Sequence, residues 1–196
     1  MKLIAITPPA TAPDEPDRIA ACLDAGFDYV HLRKPEDSAE QMRRRLDALS
    51  PDVVRRIKLH SHFELANEYP VAGIHLNSRC GRVPSGLPER VKVSRSCHSV
   101  AELSACSQME YATLSPIFDS ISKPGYKAAF DLEEISETIR GYGNVVALGG
   151  VTADYLPKLR EAGFAGAAFM GYIFGAQDIR KALNYVTIYH KCTYSR

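Results

Sequence analysis

The apolar positions of this chain fall into short, nearly continuous runs, separated by longer stretches in which they recur every three to four residues. Runs of the first kind lie at Lys2–Thr7, Phe27–Arg33, Arg56–His60, Val71–Leu76, Val91–Ser94, Tyr111–Ser115, Val145–Leu148 and Ala167–Met170. A short run that is apolar at successive positions reads as a strand buried on both faces, as in a parallel sheet. The stretches between them predict helices over Glu15–Ala25, Ala39–Leu49, Phe63–Tyr69, Val100–Cys106, Leu132–Arg140, Ala153–Ala162 and Asp178–Tyr189. Gly26 stops the first of these and Ser50-Pro51 closes the second. Asn77–Leu87, rich in Gly and Pro, reads as a polar connection. Alternating β and α units with short connections predict a parallel sheet, and eight of them within 196 residues predict one α/β domain, a compact (β/α)8 TIM barrel spanning 1–196. An open doubly wound sheet is the rival, but it usually carries a glycine-rich turn after its first strand, where this chain has Pro8-Pro9-Ala10.

A barrel gathers its chemistry at the C-terminal ends of its strands. Those ends carry His31 and Arg33, His60, His75, Ser94 and Ser96, Ser115, the pair Gly149-Gly150, and Gly171. Five of the six histidines (31, 60, 62, 75 and 98) lie at or just after the second to fifth strands. Each alone reads as a satisfied core histidine; packing explains their common placement at one mouth less well. VVALGGV and AAFMGYIF end the last two strands in glycine and lead into helices. Such turns either bring backbone amides up to a phosphate, as barrels often do after strands seven and eight, or simply reverse the chain. The segment Ser115–Lys127, with Ser120, Ser122, Lys123 and Pro124-Gly125, likewise reads as an oxyanion-catching loop or as a plain turn.

Composition narrows the class of partner. A formal net charge of +1 gives no electrostatic case for nucleic acid or a membrane surface, and Arg43-Arg44-Arg45 reads as a solvated helix face. Five cysteines without CxxC spacing predict free thiols in a reducing compartment. With no signal-peptide pattern and no membrane-length apolar run, the expected location is cytoplasmic. The ligand expected is a small molecule; a homodimer is left open.

The segments GIHL (73–76), SCHSVAE (96–102), SPIF…SISKPG (115–125) and VVALGGVTADYL (145–156) resemble, in order and spacing, the GVHL, SAHTxEE, SPIFxTxTKPG and VAIGGI segments of the thiamine-phosphate synthase family, which includes the TenI-type proteins. The resemblance runs from HLRK at 31–34 to FMGYIF at 169–174. It implies a (β/α)8 barrel acting in thiamine biosynthesis as a transferase. Family synthases couple hydroxymethylpyrimidine diphosphate to thiazole phosphate. Diphosphate leaves first, and the thiazole nitrogen captures the resulting cation. Carried over by position, Arg33 matches the diphosphate arginine and Ser96 the serine beside it. Ser120, Ser122 and Lys123 match the TxTK loop, while Gly149, Gly150 and Gly171 match the thiazole-phosphate turn. The candidate site is therefore His31, Arg33 and Lys123 as catalytic groups, with His60, Ser96, Ser120, Ser122, Gly149, Gly150 and Gly171 binding substrate.

The departures concern the metal. The family's Asn-Asp pair after the third strand falls on His60 and Ser61, and its second acidic position falls on Cys80. Serine and thiol do not replace carboxylates for Mg²⁺. No metal ligand is assigned, and Mg²⁺ is expected only of an active synthase, through substitutes such as Glu36 or Asp119. The family's strand-two Gln is His31, and its lysine two beyond the arginine is Pro35, with Lys34 one position early. TenI-type relatives that tautomerise a thiazole carboxylate phosphate use a histidine after strand six, which here is Pro116, so His31 and His60 are the proton-transfer candidates. A tautomerase, or a non-catalytic binder of thiazole or thiamine phosphates, is thus the alternative to a synthase.

Overall fold

Eight parallel strands form because each apolar run has a side chain for two cores at once. The computed structural model describes residues 1–119 and 127–191. Its strands are β1 (Lys2–Ile6), β2 (Tyr29–Leu32), β3 (Ile57–Leu59), β4 (Gly73–Leu76), β5 (Lys92–Cys97), β6 (Tyr111–Leu114), β7 (Val145–Ala147) and β8 (Gly166–Phe169). They pair in chain order, and β1 pairs with both β2 (Ala5 opposite Val30) and β8 (Leu3 opposite Ala167), which closes the barrel and excludes the open sheet.

Along β1 the alternation is plain. Leu3 and Ala5 face outward into the layer beneath the helices, and Ile4 and Ile6 join Tyr111, Val146 and Ala168 in the barrel interior. The helices covering the outside are α1 (Glu15–Asp24), α2 (Ala39–Asp47), α3 (Pro51–Val54), α4 (Leu132–Tyr142), α5 (Leu156–Glu161), α6 (Gly171–Phe174) and α7 (Ile179–Lys191). Ser38 and Gln41 form a capping box that starts α2.

Three predicted helices are shorter or tighter than expected. Phe63–Asn67 and Ala101–Cys106 are 3₁₀ segments, because these crossovers are too brief for a stable α-helix. The third, expected over Ala153–Ala162, is split into a 3₁₀ turn at Ala153–Tyr155 and α5, which begins at the turn carrying Pro157.

Two buried ion pairs fix the ends of the barrel. At the N-terminal end, Lys58 Nζ reaches Glu110 Oε2 at 2.6 Å, and the Tyr29 hydroxyl donates to Glu110 Oε1 at 2.7 Å. Burial draws the Lys58 ammonium down to about 8 against the pull of Glu110. At the C-terminal end, Lys34 Nζ meets Glu15 Oε1 at 2.5 Å and donates to the carbonyls of Pro8 and Ala10. Lys34 thus ties the β1–α1 connection to the end of β2, and points away from the barrel mouth.

Candidate active site

The period of two places His31 on the inner face of β2, between the outward Val30 and Leu32. From there its ring joins a hydrogen-bonded column. Nε2 of His31 lies 2.6 Å from the Tyr111 hydroxyl, and Nδ1 lies 2.8 Å from Nε2 of His60. Beside them, His75 Nδ1 meets Ser94 Oγ at 2.9 Å, and His75 Nε2 meets Ser96 Oγ at 2.8 Å. The Ser94 hydroxyl donates to the Ile74 carbonyl, so it accepts from a protonated His75 Nδ1. The three ring centroids are 5.0 Å (His31–His60), 4.7 Å (His31–His75) and 4.5 Å (His60–His75) apart. Burial disfavours the imidazolium of each. His60 falls to about 3, chiefly by desolvation and then by Arg33, while His31 and His75 lie well below the ordinary histidine value for the same leading reason. The barrel floor is therefore polar, hydrogen-bonded and uncharged at neutral pH.

Above this floor opens a cavity of about 280 Å³. His60, His75 and Ser96 form its base, Arg33, Ser61, Arg79 and Cys80 one side, and Ser115, Leu148 and Met170 the other. None of its described lining residues carries a carboxylate. Arg33 has no acidic partner among the described residues; its guanidinium is made less basic by partial burial and by the neighbouring charge of Arg79. Arg79 itself donates to Glu36 Oε1 at 2.7 Å.

These contacts test the fit of Mg²⁺. The expected carboxylate positions, Ser61 and Cys80, line the cavity but carry a hydroxyl and a thiol, and the Ser61 oxygen is itself buried. Glu36 is engaged by Arg79, and Asp119 accepts from the Ala128 amide at 2.7 Å. The described residues do not make a site for a hard divalent cation.

Gly149 and Gly150 follow β7 with φ of +91° and +65°, the left-handed region that favours glycine. They also pass close to the chain after β6. A Cβ on Gly149 would lie 2.8 Å from Pro116 Cα, and one on Gly150 would lie 2.3 Å from the Asp119 carbonyl oxygen. Chain reversal and close approach therefore both require these glycines, whatever they bind. The amides of Gly149, Gly150 and Gly171 donate to no backbone acceptor among the described residues. Gly171 opens the short α6 directly after Met170.

Of the sequence-derived candidates, the structure brings Arg33, His60 and Ser96 together at one cavity. It places His31 one layer below, fully buried with both nitrogens engaged. The glycines adjoin the cavity through Leu148 and Met170. Ser120, Ser122 and Lys123 lie outside the described residues. His75, Tyr111 and Arg79 were not among the candidates. His75 carried a signal, its place in GIHL at a strand end; Arg79, in a polar connection, carried none.

The pattern of the family described as "Thiamine monophosphate synthase" matches residues 3–173. Thiamine-phosphate synthase from Levilactobacillus brevis is 28% identical over 178 residues, covering 83% of this chain and 82% of that one. The match to the Limosilactobacillus fermentum thiamine-phosphate synthase is 25% identical and covers 59% of this chain and 57% of that one. The crystal structure of thiamine phosphate pyrophosphorylase from Bacteroides thetaiotaomicron superposes with a TM-score of 0.83 at 32% identity, covering 99% of this chain and 98% of that one. A closed barrel and a family match over residues 3–173 agree: the chain belongs to the thiamine monophosphate synthase family and so to thiamine biosynthesis.

Proposed function

We propose that this protein transfers the hydroxymethylpyrimidine group from its diphosphate to thiazole phosphate, and does so without Mg²⁺. The observation that carries this reading is Arg33, a guanidinium without an acidic partner among the described residues, facing a cavity with no carboxylate among its described lining residues. An unmatched cation in such a place favours a multiply charged anion. In the proposed reaction the bond from the pyrimidine methylene to the diphosphate oxygen breaks. Its electron pair leaves with diphosphate, and the thiazole nitrogen then donates its own pair to the methylene cation. Arg33 and Arg79 stabilise the charge gathering on the departing diphosphate, and Lys123, matched by the family resemblance, adds a further cation. The amides at Gly149, Gly150 and Gly171 hold the thiazole phosphate. His60 and Ser96 offer neutral donors and acceptors to the pyrimidine ring nitrogens, and His31 orients His60 from below.

The test is purified protein with both substrates, with and without added Mg²⁺, and separately with the thiazole carboxylate phosphate tautomer. Thiamine phosphate formed at similar rates in both metal conditions supports the proposal. Product only with Mg²⁺, or isomerisation of the tautomer without any coupling, overturns it.

A further inference from the structure

The same floor that rejects a hard cation presents three imidazoles to a softer one. One ring nitrogen from each of His31, His60 and His75 lies within 4.8 Å of the others. Three imidazoles around a tetrahedral ion at metal–nitrogen distances of about 2.0–2.1 Å would hold their ring centres about 5 Å apart. The three separations found here are 5.0, 4.7 and 4.5 Å. The geometry points to a three-histidine site for a borderline divalent transition metal of the Zn²⁺ class, formed by His31, His60 and His75 at the base of the cavity.

Three further features suit the rings to this role. Each ring that is fully enclosed already has an outer partner of the sort that orients metal-bound histidine. Tyr111 holds Nε2 of His31, leaving Nδ1 to turn inward, and Ser94 or Ser96 remains on His75 whichever of its nitrogens ligates. Among the described residues the rings carry no carboxylate neighbour, so nitrogen donors define the site, which favours Zn²⁺, Co²⁺ or Ni²⁺ over Mg²⁺ or Ca²⁺. Finally, His60 and His75 line the cavity, so a bound ion keeps an open fourth position facing Arg33 and Ser96.

Occupation requires a small rearrangement. The 2.8 Å contact between His31 Nδ1 and His60 Nε2 is a hydrogen bond, with one proton between the two nitrogens. Both nitrogens ligate only when that proton has moved to an outer ring nitrogen. Each ring stays neutral, and no net proton is released from the pair.

The experiment uses the full chain, stripped with chelator and titrated with Zn²⁺ and with Co²⁺. The expected result is one tightly bound ion, with visible Co²⁺ bands of tetrahedral or five-coordinate intensity. X-ray absorption of the Zn²⁺ form should show the outer-shell scattering of three imidazoles. His60→Gln and His75→Gln should each weaken Zn²⁺ binding on the order of 100-fold or more, since loss of an outer-shell partner alone costs 10–100-fold. His62→Ala, whose ring bonds the Asp37 carbonyl and lies outside the cluster, should leave binding unchanged. Zn²⁺ uptake that is absent at micromolar concentration, insensitive to both substitutions, or lacking imidazole scattering overturns the inference. The absorption measurement needs only the wild-type chain and decides the matter even when a variant fails to fold. None of these readouts depends on the transferase activity.

Discussion

His31 and Tyr111 share a 2.6 Å hydrogen bond inside the barrel although their strands, β2 and β6, stand on opposite sides of it. Tyr111 is wholly buried, and burial pushes its phenol well above the ordinary tyrosine value, so it stays a neutral hydroxyl. Tyr111→Phe should leave His31 Nε2 without its partner and destabilise the fold by about 1–3 kcal/mol, read from denaturant unfolding. An unchanged midpoint would show that the bond contributes little.

Arg33 lines the cavity, whereas its neighbour Lys34 is buried against Glu15. Lys34→Ala removes one half of a buried pair and leaves Glu15 with only the more distant Arg45, whose Nη1 is 3.7 Å away. It should cost about 3–5 kcal/mol of stability. Arg33→Ala should leave the melting temperature nearly untouched and weaken inorganic diphosphate binding about 10-fold or more, the equivalent of roughly 1.5–3 kcal/mol. Calorimetric binding and melting curves on both variants would separate the two; Lys34→Ala losing affinity without losing stability would contradict this division.

Gly150→Ala tests the turn after β7. Its φ of +65° costs a side-chain-bearing residue about 1–2 kcal/mol, and the added Cβ meets the Asp119 carbonyl. The variant should melt lower before any ligand is added. A stable variant with lost phosphate affinity would assign the glycine to binding alone.

Cys80, partly exposed at the cavity wall, should react with a thiol reagent in the native protein and be protected by diphosphate. Cys22 and Cys97 should stay unreactive at neutral pH, since burial holds both thiols up to about 12. Because these folded values exceed the unfolded value of about 8.5, this part of the stability is complete below about pH 8.5 and is lost as pH rises toward the folded values. Mass mapping of labelled peptides checks the order of reaction; rapid labelling of Cys22 in folded protein would contradict it.

Strand positions were legible because a strand covered on both faces leaves an unbroken apolar run; seven of the eight expected runs contain a strand or most of one, and the run at Val91–Ser94 holds the first half of β5 (Lys92–Cys97). The Arg33, His60 and Ser96 cluster was legible too, once the strands were placed, because a barrel brings successive strand ends to one mouth. Two things were not. Tyr111 opens an apolar run and looks like core; its polar partner lies across the barrel, a distance no local pattern encodes. Lys34 beside Arg33 looks like a second ligand cation, but Glu15, nineteen positions earlier in the chain, takes it into the wall. The crossovers after β3 and β5 have helical spacing yet are too short to keep an α-helical pitch, which sequence periodicity does not register.

The column from Tyr111 through His31 to His60 has a direction as well as a composition. Each neutral imidazole has one proton to give. When the Tyr111 hydroxyl points its hydrogen at His31, His31 must donate to His60, and the remaining nitrogen of His60 carries a hydrogen. When Tyr111 accepts instead, the arrows reverse and that nitrogen offers a lone pair. The column is thus a two-position switch whose ends are linked reciprocally. A ligand group that donates to His60, or accepts from it, sets the orientation of a hydroxyl on the far side of the barrel. Conversely, a change at Tyr111 decides whether His60 offers a hydrogen or a lone pair to its surroundings at the cavity.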